Sequence, residues 1–377
     1  MHTTTFCHRL LSVLAVTLPL SAHAAEERDF NAYPPHVKAY LARVNSVDQH
    51  RYGFREDYPG GYEQWRADAR RELVRLLRVE KIAAQAAGFE AQVELGEAED
   101  LGAITRQLGS LETEPSVRVP FYLLKPKGKG PFPLGIFPHG HDARGHCTSA
   151  GVYEDAAHRL KALAEDRDVA VQAAKRGYLA IAPATRGLAV DGVPDLYKRH
   201  GGRECRSHVM HCLLAGRTAM GERVWDMQRF LDWALALPEV DARHVLMMGN
   251  SGGGMVTLYA AACEPRITVA VASCSFATLT SPAGYIYHCD CNMVPGLLEL
   301  GDLPDVAGLI APRYLLTVNG RKDVLHAAED VERAAARVRT IYEAAGVPTH
   351  FEHRWGEQGH RFYSDLMWPF VDAAMER

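Results

Sequence analysis

Residues 244–263 read HVLMMGNSGGGMVTLYAAAC. An apolar run, His244 to Met248, passes at once into Gly249-Asn250-Ser251-Gly252-Gly253, and a run of small and apolar residues from Met255 to Cys263 follows. Strand, G-x-S-x-G turn and helix in that order predict a nucleophile elbow, a tight turn that lifts the Ser251 Oγ clear of the backbone at the end of a strand. Gly249 and Gly253 belong to the prediction because side chains there would collide with the neighbouring turn. The helix that follows aims its dipole and its free N–H groups at the reacting centre.

A hydroxyl attacks poorly unless a base takes its proton, so a histidine must arrive from elsewhere, oriented by a carboxylate. On this type of sheet the chain order is Ser, then Asp or Glu, then His. Asp323 follows the apolar run ending at Val318, within Asn319-Gly320-Arg321-Lys322-Asp323. His360 closes Gly356-Glu357-Gln358-Gly359-His360, after the last strand and before a helix. Competing groups are placed less well. Asp302 and Asp305 precede a strand, His326 trails Asp323, and His350 and His353 fall inside the last strand.

Charge that develops on a substrate carbonyl oxygen needs two donors. The backbone N–H of Gly252, the residue after the nucleophile, is one expected donor; the N–H of His141, in Pro138-His139-Gly140-His141 after an earlier strand, is the other. A serine mechanism needs no metal and no cofactor, and none is expected. Cys205-x-x-His208-x-x-His211-Cys212 and His288-Cys289-Asp290-Cys291 have the residue types of metal ligands. Neither has the separation of a zinc module, and both are read as disulfide or loop structure.

Short apolar strands are expected at 116–124, 134–137, 178–182, 244–248, 267–272, 314–318 and 350–354, with helices between them. That alternation implies βαβ units and a mostly parallel sheet covered on both faces, an α/β fold. Every candidate site residue lies just after the carboxyl end of a strand, where open α/β sheets place their sites. Residues 25–115 are expected to form an N-terminal helical cap and first strands, and residues 116–377 the catalytic domain. Within the cap, Trp65, Leu73, Leu76, Leu77 and Val79 lie near one helical face. Two insertions, 188–217 and 276–309, are expected to rim the site with Tyr197, Tyr285, Tyr287 and His288.

The chain has 377 residues, with 46 acidic against 42 basic side chains, and 47% of its residues are hydrophobic. That balance excludes a disordered chain and a basic nucleic-acid binder. His8 and Arg9 precede an apolar run, Leu10 to Leu20, and Ala22-His23-Ala24 has the small-x-small pattern of a cleavage site. Residues 1–24 are thus expected to be a signal peptide, which makes the mature protein periplasmic or extracellular. The run is too short to span a bilayer, so no stable membrane insertion is expected. Cys7 would leave with the signal. Of the remaining seven cysteines, Cys205 and Cys212 are the expected disulfide, while Cys263 and Cys274 lie in apolar runs.

Together with Arg176-Gly177-Tyr178-Leu179-Ala180, Gly221-Glu222-Arg223-Val224-Trp225-Asp226 and Ile310-Ala311-Pro312-Arg313, these motifs resemble the α/β-hydrolase superfamily, in its acetyl xylan esterase-like and dienelactone hydrolase-like branch. The resemblance implies a Ser251–His360–Asp323 triad, the His141/Gly252 oxyanion pair and hydrolysis of a small-molecule or carbohydrate ester. Two positions depart from it: Thr185 stands where relatives often have Asp, and Gly252 where xylan esterases often have Gln. A peptidase of prolyl-oligopeptidase type would share the catalytic domain but usually carries a β-propeller. A binding protein on a spent hydrolase scaffold would usually lack one of the three triad residues.

Overall fold

The computed structural model describes residues 33–142, 144–188, 192–281 and 286–376. The expected signal peptide (1–24), Cys7 and Tyr285 lie outside the described residues.

One sheet organises the chain. Its strands are β1 (Gln92–Leu95), β2 (Glu99–Asp100), β3 (Ile104–Glu114), β4 (Val117–Pro126), β5 (Phe132–Ile136), β6 (Leu179–Pro183), β7 (Val240–Asn250), β8 (Val269–Ser273), β9 (Tyr314–Gly320) and β10 (Phe351–Gly356). Across the sheet they run β1-β3-β4-β6-β5-β7-β8-β9-β10, with β2 beside β3. From β6 to β10 every pairing is parallel, and β1, β3 and β4 complete the sheet as an antiparallel flank.

β6 and β8 are buried at every position because helices cover both faces, which is why these strands read as unbroken apolar runs. Side chains alternate between faces along a strand. On β7, Val245 and Met247 therefore join one hydrophobic cluster, while Leu246 and Met248 join another. The first cluster receives the helices Gly61–Leu77, Ala219–Leu235, Gly252–Cys263 and Ala328–Ala344; the second receives Val169–Lys175 and Ser364–Met375.

The Gly61–Leu77 helix buries Trp65, Ala69, Leu73, Leu76 and Leu77, and it stops at Arg78, whose φ of 62° is left-handed. A second helix, Val79–Gln85, takes over from there. The stretch between β5 and β6 is likewise broken: the helices Ala156–Ala164 and Val169–Lys175 are separated by a turn in which Asp166 has φ 55°. β1 to β3 left little trace in the sequence. They lie on the open flank, where one face is wet and no apolar run is required. Among the described residues no helix is long and apolar enough to cross a membrane.

Candidate active site

β7 ends at Asn250, and the chain turns into the Gly252–Cys263 helix at Ser251, whose φ of 58° and ψ of −126° are unusual for a side chain other than glycine. That strained corner is what pushes the side chain forward. A Cβ on Gly249 would run into the backbone of Gly253, so the turn closes only with glycine at that position. The Ser251 N–H is held by the Ser273 carbonyl at 2.8 Å, which ties the corner to the end of β8.

Against the elbow lies the loop after β5. A Cβ on Gly140 would stand 2.9 Å from both the Gly252 nitrogen and the Ser251 Cβ, so bare backbone is needed for the two turns to meet. Gly252 is the first residue of its helix, and its N–H has no intrahelical acceptor. His139, buried, buckles this loop from behind. Its Nδ1–H donates to the Gly140 carbonyl at 2.8 Å, and its Nε2 accepts the Thr185 N–H at 2.9 Å. The Thr185 hydroxyl donates to the His139 carbonyl at 2.9 Å. The departure at Thr185 therefore has a definite job: its backbone and side chain both fasten the loop that carries Gly140 and His141.

His360 and Asp323 come from the loops after β10 and β9. His360 Nδ1 lies 2.8 Å from Asp323 Oδ2, leaving Nε2 free on the other side of the ring. Burial pushes the Asp323 carboxyl up, but the hydrogen bond and charge of His360 and the Leu325 N–H outweigh it and hold the group below the usual carboxylate range. The two loops are bonded to each other through Lys322 N–H to Gln358 O at 3.0 Å and Arg321 N–H to Gly356 O at 2.8 Å. Next to His360, the Arg361 carbonyl accepts from Ser273 Oγ at 2.8 Å and Asn250 Nδ2 at 3.1 Å, which fixes the histidine loop against the elbow. Asn250 and Ser273 carry no catalytic signature, and sequence reading passed over them.

Ser251, Gly252, His141 and His360 line one cavity of about 940 Å³, with Asp323 buried behind His360. The rejected acids have other work. Asp302 caps a helix and receives the Leu279 N–H, while Asp305 accepts from the Phe54 N–H and from Arg337. His350 is bonded to the Pro312 carbonyl and His353 to Thr317. His326 lines the cavity beside His288, with ring centroids 5.0 Å apart.

Two expectations are corrected. Tyr197 is 87% exposed and does not line the cavity, whereas Tyr287 and His288 do. Cys205 and Cys212 are not paired: both are free thiols on one helix, Glu204–Leu214. Seven residues apart at about 1.5 Å per residue, their Cα atoms are separated by roughly 10 Å, well beyond the reach of a disulfide. Cys205 instead faces the second insertion, with its Sγ 3.8 Å from that of Cys289.

Comparison with known proteins agrees with this architecture. The acetyl xylan esterase (AXE1) family model matches residues 161–279, the stretch that contains the elbow. The chain has the α/β-hydrolase fold and is a carboxylic ester hydrolase, similar to acetyl xylan esterases over the matched stretch. This hydrolase is 26% identical over 249 residues, 64% of its own length and 78% of the other, to YtaP of Bacillus subtilis (strain 168), a protein named as a hydrolase. A Bacteroides fragilis NCTC 9343 structure named as an acetyl xylan esterase superposes with a TM-score of 0.70 at 15% identity, over 91% of this chain and 94% of that one. A glucuronoyl esterase from Solibacter usitatus gives 0.60 at 17% identity, over 83% and 93%. At such identities the likeness of these structures is one of fold.

Proposed function

We propose that this hydrolase is an exported serine esterase that removes an acyl group from a carbohydrate or other small ester through an acyl-enzyme. Ser251 is the nucleophile, His360 the base and Asp323 its orienting carboxylate, with the N–H groups of Gly252 and His141 receiving the oxyanion. The observation that carries the reading is the 2.8 Å contact between His360 and Asp323, on loops bonded to the elbow that presents Ser251. In the first half-reaction Ser251 Oγ attacks the ester carbon as its proton passes to His360 Nε2. The same proton then goes to the leaving alkoxide as the ester C–O bond breaks. Water repeats the sequence, its proton passing through His360 to Ser251 as the acid departs.

In this reading residues 1–24 are removed on export and 116–377 form the catalytic unit behind the 25–115 cap. A carbohydrate ester is favoured by the family match and by a cavity within the range of small-ligand sites. The test is Ser251→Ala, which should fold normally, lose labelling by a fluorophosphonate, and lose roughly 10⁴- to 10⁶-fold in kcat on p-nitrophenyl acetate. Near-normal turnover by that variant would remove Ser251 from its role. Screening acetylated sugars, aryl esters, lactones and peptides would identify the substrate class.

A further inference from the structure

Beside the cavity, three cysteines and a histidine from three distant stretches of chain converge. Cys205 comes from the Glu204–Leu214 helix in the first insertion, Cys289 and Cys291 from a turn in the second, and His141 from the loop after β5. Their ligand atoms all lie within 4.8 Å of one another. The Cys291 and Cys289 sulfurs are 3.7 Å apart, those of Cys205 and Cys289 3.8 Å, and Cys291 Sγ is 3.3 Å from His141 Nε2. From these residues we infer a tetrahedral Cys₃His site for a zinc-type divalent metal, which staples both insertions to the loop carrying His141.

Geometry supports the assignment first. Ligands about 2.3 Å (sulfur) and about 2.0–2.1 Å (nitrogen) from a tetrahedral zinc stand about 3.8 Å apart between sulfurs and about 3.6 Å between sulfur and nitrogen. The observed edges follow that pattern, whereas a disulfide needs its sulfurs at about 2.05 Å. Thiolate-rich N/S sets of this kind select zinc over oxygen-seeking cations.

Charge supports it independently. Arg223 is 1% exposed, and its guanidinium bonds to the Arg186 carbonyl, the Cys291 carbonyl at 3.1 Å, the Cys291 sulfur at 3.4 Å and Asn292 Oδ1. It makes no ion pair with a carboxylate among the described residues, and a buried lone cation is costly. Three thiolates around a divalent ion carry one net negative charge, which this guanidinium balances while hydrogen-bonding a ligand sulfur. Beside the cluster an Arg206–Asp290 ion pair joins the same two segments. Spacing could not reveal the set, because its members are 64, 84 and 2 residues apart in sequence.

The value of the staple to catalysis rests on the oxyanion reading of His141; the metal itself does not. The test is metal content of the full chain by mass spectrometry, together with a count of free thiols after denaturation without reductant. One zinc per chain is expected, lost in Cys289→Ala and in Cys291→Ala, with every thiol titratable once the metal is chelated. Should a variant fail to fold, wild-type protein refilled with cobalt should show thiolate-to-cobalt charge-transfer absorption. Three results overturn the site: no metal with two thiols missing, which means a disulfide; no metal with all thiols free; or metal retained in folded ligand variants. Fluorophosphonate labelling of the same preparations reports separately on Ser251, so failure of the esterase reading and failure of the metal site are told apart.

Discussion

At the residue scale, the site depends on one ring being held by one edge. His360 Nδ1 faces Asp323 Oδ2 at 2.8 Å, so the ring presents Nε2 outward with the tautomer that can accept a proton. Asp323 stays ionised well into the acid range because its partner holds its carboxyl below the ordinary value. Asp323→Asn keeps the shape but favours the wrong tautomer, and it should lower kcat by about 10⁴-fold with the thermal midpoint little changed. Loss of less than tenfold, measured on any ester the wild type turns over, would show that another acid orients the ring. Both residues were legible in the sequence because each follows a strand's end in the expected order. The groups that hold their loops, Asn250, Ser273, His139 and Thr185, were not, since hydrogen bonds between loops leave no spacing to read.

At the element scale, the antiparallel flank is locked to the parallel sheet by a buried ion cluster. Arg186, 3% exposed, donates to Glu114 at the end of β3 at 2.5 Å, to Asp226 on the Ala219–Leu235 helix, and to Thr113 Oγ1 at 3.1 Å. Arg217 adds a second cation on Glu114 at 2.6 Å and on Glu222 at 2.7 Å. Burying charge costs several kcal/mol per ion, and that cost is offset here because each carboxylate meets at least one guanidinium. Arg186→Ala leaves Asp226 without its cation in a dry place, with Glu114 held by Arg217 alone, and should destabilise the fold by about 3–5 kcal/mol in urea unfolding. A loss under about 1 kcal/mol would mean that water reaches the cluster.

At the scale of the whole molecule, stability should follow pH through groups buried neutral or buried paired. His326 and His353 are both lowered to about 4 by burial, and His326 Nδ1 and His353 Nε2 have no hydrogen-bond partner among the described residues. Their unfolded value is 6.5, so between pH 6.5 and about 4 the unfolded chain binds more protons. Their contribution to stability is therefore complete above pH 6.5 and falls as the pH drops toward 4. Burial pushes Glu222 up, but hydrogen bonding to His208 and the charge of Arg186 outweigh it and hold Glu222 at about 2 against an ordinary 4.5. Its contribution is present above 4.5 and is lost between 4.5 and about 2. Thermal midpoints taken from pH 7.5 down to 3 should fall in these two stages, and His353→Gln should flatten the first. A level profile from pH 7 to 5 contradicts the assignment.

Local sequence by itself determined the elbow, the parallel strands and the order of Ser251, Asp323 and His360, because a strand buried on both faces must be apolar and a tight turn must be glycine-rich. It did not determine β1 to β3, whose wet face relaxes the pattern, nor the break at Arg78 within the cap helix. Above all it did not reveal that Cys205, Cys289, Cys291 and His141 meet. Those four are brought together by two insertions folding back over the sheet. Contacts between segments far apart along the chain are fixed by packing and by the pairing of charge, and only the tertiary structure decides them.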